Sequence, residues 1–335
     1  LSLLNERMEK SLLARRFKPK AFDPVREQAV LEKTRRSSQC LLDSHFSVHI
    51  YEQIIAECRR LQDAGLKTVA FQGEHGAYSE VALRLLMPEA ATIPCLEFSD
   101  VFDGVEKGLY DYGIVPVENT LGGMIGPVNS ILIYTHLKIV AAIDLPIRHC
   151  LLTIPGADHR ELRTARSHTQ ALAQCRNFLL RNHLDPEPFY DTAGAAKALA
   201  ENRPKGVSVV ASKFAADLYG LEIIKEDIQD SLHNRTRFFI IATEDNGVEG
   251  DKCSAVFTAG NKAGALFSVL EVFAQENINL TRIESVPDVP EKYAIFIDFE
   301  GSLSSAPVQR ALEKVPKIAE GFKILGCYHE MRIES

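Results

Sequence analysis

The sequence predicts a multidomain chain with three parts in succession: an all-α segment, a two-lobed α/β region and a βαββαβ unit. Three observations carry that expectation. Apolar residues recur at three- and four-residue spacing through residue 62. Short apolar runs then alternate with amphipathic stretches from Lys67 to Glu244. After a polar break at 244–252 the order becomes strand, helix, strand, strand, helix, strand. At 335 residues the chain is longer than one core normally sustains and suits two or three domains.

Composition narrows the function classes. With 46% hydrophobic and 25% charged residues, nothing points to disorder, collagen or a coiled-coil rod. No apolar run approaches the roughly 20 residues of a membrane span, and Leu1–Leu4 is followed at once by charge, which predicts neither membrane association nor a signal peptide. The expected location is cytoplasmic. The seven cysteines lie far apart, without a C-x-x-C pair or a His at ligand spacing, so reduced, buried thiols and no metal or cofactor are expected. Residues 1–62 hold 12 Lys+Arg against 8 Asp+Glu, net +4, within a chain of net −7. Nucleic acid is therefore not an expected partner, and the basic excess is local.

The first helix carries Leu1, Leu4, Met8 and Leu12 as a narrow seam and is expected to stop by Lys18, before Pro19. The Asp23-Pro24 pair predicts a second helix to Ser37, with Asp as cap. A third follows Asp43, striped by Phe46, Ile50, Ile54, Cys58 and Leu61. Three helices without a sheet cannot close a large core, which predicts pairing with another copy, a homo-oligomer of at least two chains. Arg7 and Lys18, 11 residues apart, return to nearly one helix face, and Cys58 and Gln62 share a face at i and i+4.

Strands are expected at Thr68–Gln72, Thr92–Cys95 and Tyr112–Val117, with helices striped by Val81, Ala82, Leu85 and Leu86 and spanning Ser99–Lys107. Gly73-Glu-His-Gly76 opens the first of these helices, a weak anion-site signal. Glu118, Asn119 and Thr120 then stand at a strand's end ahead of two glycines, as at the ligand edge of an α/β sheet. Lys138–Pro146 and His149–Ile154 carry the chain into a second lobe. There Thr164–Arg166 is a strand, Ser167-His168 a cap, and Ala171, Leu172, Cys175, Phe178 and Leu179 a helical stripe, with Gln174 two turns after Ser167. A helix from Thr192, a strand Val207–Val210 and a helix Phe214–Tyr219 follow. The chain returns through Asp230–Ile241, where Arg235, Thr236 and Arg237 precede the buried strand Phe238–Ile241. Arginine forks suit carboxylate or phosphate, which points to a small acidic ligand.

The helical run LSLLNERMEKSLLARRFKPKAFDPVREQAVLEK with IIAECRRLQ resembles the all-helical chorismate mutases, without the start of their long first helix. That resemblance implies Arg7, Lys18, Asp23, Arg26, Glu27 and Gln62 as ligands of chorismate, with Cys58 where Ser is usual. VAFQGEHGAYSE, PVENTLGG, SHTQALAQC, YGLEIIKEDIQD and NRTRFFII, in that order, resemble the prephenate dehydratases. This implies two lobes like a type-II periplasmic binding protein with the site between them. It also implies roles in binding or conversion of prephenate for Glu118, Asn119, Thr120, Ser167, Gln174, Thr236, Arg237 and Phe238. Asn129, Thr169 and Asp191 depart from that family's usual residues. The last segment, ferredoxin-like in element order, resembles an ACT regulatory domain, which implies Gly264, Ala265, Leu266, Asn279, Leu280, Glu284 and Ser285 as ligands of phenylalanine; Val286 stands where the family has Arg. The expected domains are 1–64, 67–244 (second lobe 147–228) and 253–335.

The resemblances imply two consecutive reactions. A concerted Claisen step needs only a held conformer and stabilised charge on the ether oxygen. Decarboxylative dehydration needs a proton for the departing hydroxyl, from Thr236 polarised by Arg237, or from a Glu118 protonated by burial. Arogenate in place of prephenate, a merely dimerising mutase segment, and a non-catalytic amino-acid sensor are the alternatives.

Overall fold

Side-chain caps and the absence of interior Gly or Pro shape the first helices. In the computed structural model, which describes all residues except 19, 21, 40, 246, 260–262, 288–291 and 335, the chain forms two compact units. One is residues 1–69 with 89–93; the other is 70–88 with 94–335. The first holds α1 (Ser2–Arg15), α2 (Pro24–Ser37) and α3 (Ser44–Asp63). Asp23 accepts from Arg26 N–H with Pro24 at the first helical position, and Asp43 accepts from the His45 and Phe46 N–H groups. The first helix ends three residues before Lys18; Pro19, its expected stop, lies outside the described residues. No residue of these helices is buried within one chain, and Leu1, Leu3, Phe46 and Ile50 are exposed.

Beyond them lie β1 (Thr68–Gln72), α4 (Tyr78–Leu86), β2 (Ala91–Cys95), α5 (Phe98–Glu106), β3 (Tyr112–Asn119), β4 (Gly123–Met124), α6 (Gly126–Tyr134) and β5 (Lys138–Pro146). The second lobe comprises β6 (Cys150–Thr153), β7 (Thr164–Ser167), α7 (Thr169–Gln174), α8 (Arg176–Arg181), β8 (Asp185–Pro188), α9 (Thr192–Asn202), β9 (Val207–Ala211), α10 (Lys213–Tyr219) and β10 (Glu222–Lys225). The chain returns in β11 (Arg235–Ala242), then adds β12 (Lys252–Ala259), α11 (Ala265–Gln275), β13 (Leu280–Pro287), β14 (Tyr293–Glu300), α12 (Ala306–Lys314), β15 (Glu320–Tyr328) and β16 (Glu330–Arg332). Strands β4, β8, β10 and β16 are short or proline-bearing and leave no period-two signal, so none is anticipated above. Ser79, Glu80, Ala82 and Leu83 are the buried residues of α4 while Leu85 is exposed, so of the expected stripe only Ala82 is fully buried.

The first-lobe sheet runs β16-β5-β11-β3-β1-β2 with β4 on β3, the second-lobe sheet β10-β6-β9-β7-β8, and the last sheet β13-β14-β12-β15. That last order is the ferredoxin-like one, with α11 and α12 covering the core of Phe257, Phe273, Ile297 and Phe299. Cys253 and Cys327 face each other across β12 and β15 and form a disulfide, which corrects the expectation of seven reduced thiols. The chain then leaves this sheet, and β16 pairs in parallel with β5 of the first lobe. Gly326 permits the close approach: a Cβ there would collide with the Ile139 carbonyl of β5.

Burial sets up one strong local clamp. Glu80 of α4 is fully buried, 3.2 Å from His75 Nδ1, 2.8 Å from the Gly76 N–H and 2.8 Å from Arg84 Nη2. Burial alone would raise its pKa, but hydrogen bonds from His75, Gly76 and Arg84 outweigh it and hold the carboxyl down at about 2. This pins the 73–76 turn. A folded pKa below the unfolded value stabilises above the unfolded pKa and loses that stability as pH falls through the folded one. Glu80→Gln is therefore expected to cost about 3 kcal/mol at pH 7 in urea denaturation. The difference from wild type should shrink between pH 5 and about pH 2.

Candidate active sites

The helical unit encloses a cavity of about 410 Å³ lined by Arg7, Lys18, Asp23, Arg26, Glu27, Cys58 and Gln62, together with Ser11 and Arg59. All seven residues singled out there by sequence meet in one place. Arg7 lies over the Tyr51 ring at 5.4 Å, and its buried Nε has no hydrogen-bond partner among the described residues. Gln62 Nε2 donates to the Ser11 carbonyl (2.6 Å) and hydroxyl (2.8 Å). Glu27 lies 3.5 Å from Arg59, a second cation that sequence spacing did not single out. Arg59 is one residue off the Cys58–Gln62 face, which is why that spacing missed it.

The second site is a cleft of about 370 Å³ between the two lobes. Its near wall is the pairing of β3 with β11, where Thr236 stands directly opposite Asn119 and Arg237 opposite Glu118. One extra residue on β3, Val117, then forms a bulge, so that Pro116 and Asn119 both reach the cleft beside Thr236 and Phe238. Asn119 Nδ2 is 2.9 Å from each of Thr236 Oγ1, Asn234 Oδ1 and the Arg235 carbonyl, and Oδ1 accepts from the Leu121 and Gly122 N–H groups. Thr236 Oγ1 thus accepts a hydrogen bond from the Asn119 amide, which leaves its own O–H available as a donor.

The far wall continues the same chain of bonds. Asn234 Nδ2 donates to Gln174 Oε1 (3.0 Å), which also accepts from His149 Nε2 (2.9 Å). His149 Nδ1 faces the Tyr78 hydroxyl at 3.0 Å, whose proton is shared with the Arg148 carbonyl at 2.6 Å. Burial lowers the His149 pKa against the pull of Gln174, so the ring is neutral at pH 7, and burial raises that of Tyr78. Neither His149 nor Tyr78 was singled out from sequence. The HCLL run after the first crossing, with its His at the entrance to a strand, is the signal that could have found the first of them.

Strand alternation corrects four expectations. β3 extends to Asn119 and β11 begins at Arg235, so the neighbours of Asn119 and Thr236 turn to the opposite face of the sheet. Arg237 does not enter the cleft: it is paired with Asp298 and Glu330, and its Nη2 donates to the Tyr328 hydroxyl at 2.9 Å. Glu118 lies 3.7 Å from Arg282 of β13 and is likewise outside the cleft. Ser167 is fully buried, its hydroxyl donating to the Val210 carbonyl, and the cap of α7 is His168. Thr120 donates to the His233 carbonyl and accepts from the Arg235 N–H, tying the loop after β3 to β11 instead of lining the cleft. Arg235, the other arginine of that run, is also outside the cleft lining and donates to Asp144 and to the Ile333 carbonyl. Gly264 precedes α11 at φ +84°, Ala265 and Leu266 open that helix, and Asn279, Leu280, Glu284 and Ser285 lie at or within β13.

Comparison with known proteins matches residues 69–246 to the prephenate dehydratase family model. The chain belongs to that family. Residues 1–63 match the type II chorismate mutase model and 254–317 the ACT domain model. Among relatives, arogenate dehydratase/prephenate dehydratase 2 of Arabidopsis thaliana is 41% identical over 275 residues, covering 78% of this chain and 72% of the relative. Arogenate dehydratase 2 of Petunia hybrida is 40% identical, with 78% and 71% covered. A solved prephenate dehydratase from Arthrobacter aurescens, in complex with L-Phe, superposes with TM-score 0.72 at 29% identity, covering 78% of this chain and 89% of that one. The dehydratase chain is thus a lyase that carries a mutase-type helical segment and an ACT domain. No helix among its described residues is long and apolar enough to cross a membrane.

The Arg237 cluster is testable apart from chemistry. Removing its charge with Arg237→Leu would leave Asp298 buried without its cation and Glu330 with Lys252 alone. A loss on the order of 3–5 kcal/mol in urea denaturation is expected.

Proposed function

We propose that this chain converts chorismate to prephenate in its helical cavity and prephenate to phenylpyruvate in the interlobe cleft, under feedback control by phenylalanine. The observation that carries the second step is the Thr236 hydroxyl at the cleft, which accepts from the Asn119 amide and so has its own O–H left to donate. As the ring's carboxylate leaves as carbon dioxide, the C–O bond to the hydroxyl breaks, and Thr236 donates to the departing oxygen. Gln174, fixed by Asn234 and His149, positions the ring, and Phe238 supplies an apolar wall that excludes water. Glu118, paired toward Arg282, takes no part in that proton transfer.

In the helical cavity, Arg7, Lys18 and Arg26 hold the two carboxylates of chorismate, and the Gln62 amide turns from Ser11 to the ether oxygen as charge develops there. Asp23 and Glu27 orient the cations and the substrate hydroxyl. The half-buried, apolar faces of α1–α3 support assembly with a second copy.

For regulation, the segments Gly264–Leu266 and Asn279–Ser285 are the proposed phenylalanine ligands; the Arthrobacter aurescens relative, solved in complex with L-Phe, supports phenylalanine as the effector. Arg282 lies within the second segment and touches both Asn129 of α6 (3.0 Å) and Glu118, the neighbour of Asn119. An effector that shifts β13 thereby reaches the cleft through two residues, provided it binds two states with different affinity.

The test is a pair of assays on the full chain, chorismate consumption and phenylpyruvate formation. Thr236→Ala is expected to lower dehydratase kcat on the order of 10²-fold and leave mutase rate as in wild type. Gln62→Ala should do the reverse. Equal loss of both activities in either variant overturns the two-site assignment.

A further inference from the structure

The interlobe cleft carries an electrostatic signature at odds with a dianionic ligand. Its described lining residues include no Lys or Arg, since both arginines flanking Thr236 are turned away, yet they include one carboxylate, Asp191. Asp191 opens α9 on the second lobe. Its Oδ1 accepts from the Gly194 N–H at 2.6 Å, which caps the helix. Oδ2 points across the gap toward the first lobe, where a Cβ on Gly73 would come within 3.3 Å of it, so glycine there leaves the carboxylate's approach open. Of the nearby charges, Lys197 is 2.9 Å from Glu74, to which Tyr190 also donates, and His168, which shares the cleft lining and favours the Asp191 charge, accepts at Nδ1 from the Gln170 N–H. Burial, with Glu74 adding to it, raises the Asp191 pKa, as expected for a carboxylate awaiting a cation.

Prephenate would bring two carboxylates and a neutral ketone to this cleft. Arogenate differs in one group, an ammonium in place of that ketone. Resting on the dehydratase reading of the cleft, we infer that Asp191 is the specificity-determining residue for the substrate's side chain: the cleft accepts the keto acid prephenate, and Asp191, by pairing with the ammonium of the corresponding amino acid, gives that second substrate the higher kcat/KM. A charge pair withdrawn from water discriminates strongly, because the wrong ligand leaves Asp191 facing a carbonyl oxygen with no proton to offer. The carboxylates of either substrate then rest on neutral donors, the Gln174 amide N–H and the N–H groups that open α4.

The experiment measures kcat/KM of the full chain for arogenate and for prephenate, in wild type and in Asp191→Asn. Asparagine keeps the helix cap, so an unchanged Tm separates specificity from folding. Wild type is expected to prefer arogenate. The variant is expected to lose on the order of 30-fold with arogenate and to gain with prephenate, inverting the ratio. A parallel fall with both substrates would make Asp191 a proton donor or a purely structural cap and overturn the inference, as would an unchanged ratio. Turnover of neither substrate by wild type would overturn the dehydratase reading itself and this inference with it.

Discussion

The arrangement around the cleft depends on one buried cation. Arg237 stands between two sheets, bound to Asp298 and Glu330 and in contact with Tyr328 and the ring of Phe239. Desolvation works against its charge, but Tyr328, Asp298 and Glu330 outweigh it and raise the guanidinium's pKa further. Asp298 in turn accepts from Ser254, whose hydroxyl also meets Tyr328. Lys252 adds a second cation to Glu330 at 2.6 Å. A cluster with this many partners fixes the rotation of β11. Because successive side chains of a strand alternate, fixing Arg237 on one face fixes Thr236 on the other.

The same logic is repeated one strand over. Arg282 holds Glu118 and Asn129, and Asn119 is thereby presented to the cleft opposite Thr236. Lys323 of β15 donates to the Ile133 and Thr135 carbonyls at the end of α6, another contact from the ferredoxin-like sheet to the first lobe. Asn119 and Thr236, which face each other at the cleft, are therefore both backed by groups anchored in the small C-terminal sheet. This gives that sheet a structural purchase on the site without any residue of its own lining it.

Much of this was legible in the amino-acid order. The capped helices, the two α/β lobes and the βαββαβ unit follow from periodicity and turn chemistry, and the helical cavity gathers the residues that spacing and resemblance named. What spacing could not give was direction. Reading RTR as the entrance to a strand that begins at Phe238 puts all three side chains near a ligand; reading it as the strand's own first residues sends Arg235 and Arg237 away from it. Ser167 failed for a similar reason, because the last residue of β7 points into the lobe's interior while the next one caps the helix. His149 and Tyr78 were missed because each becomes polar machinery only when two crossings bring it to Gln174. The Cys253–Cys327 pairing, 74 residues apart in sequence, depends on strand register that no local pattern encodes.

Strand β16 gives the chain an order of assembly. The strand that carries Thr236 lies next to β5, and the outer partner of β5 is Glu330–Arg332, which comes later in the chain than every strand of the ferredoxin-like sheet. During synthesis the catalytic lobe must wait with an open sheet edge, a template for pairing with other chains, while the whole ferredoxin-like unit is added. The sheet of the first lobe is thus completed only by three residues that follow the whole ferredoxin-like unit.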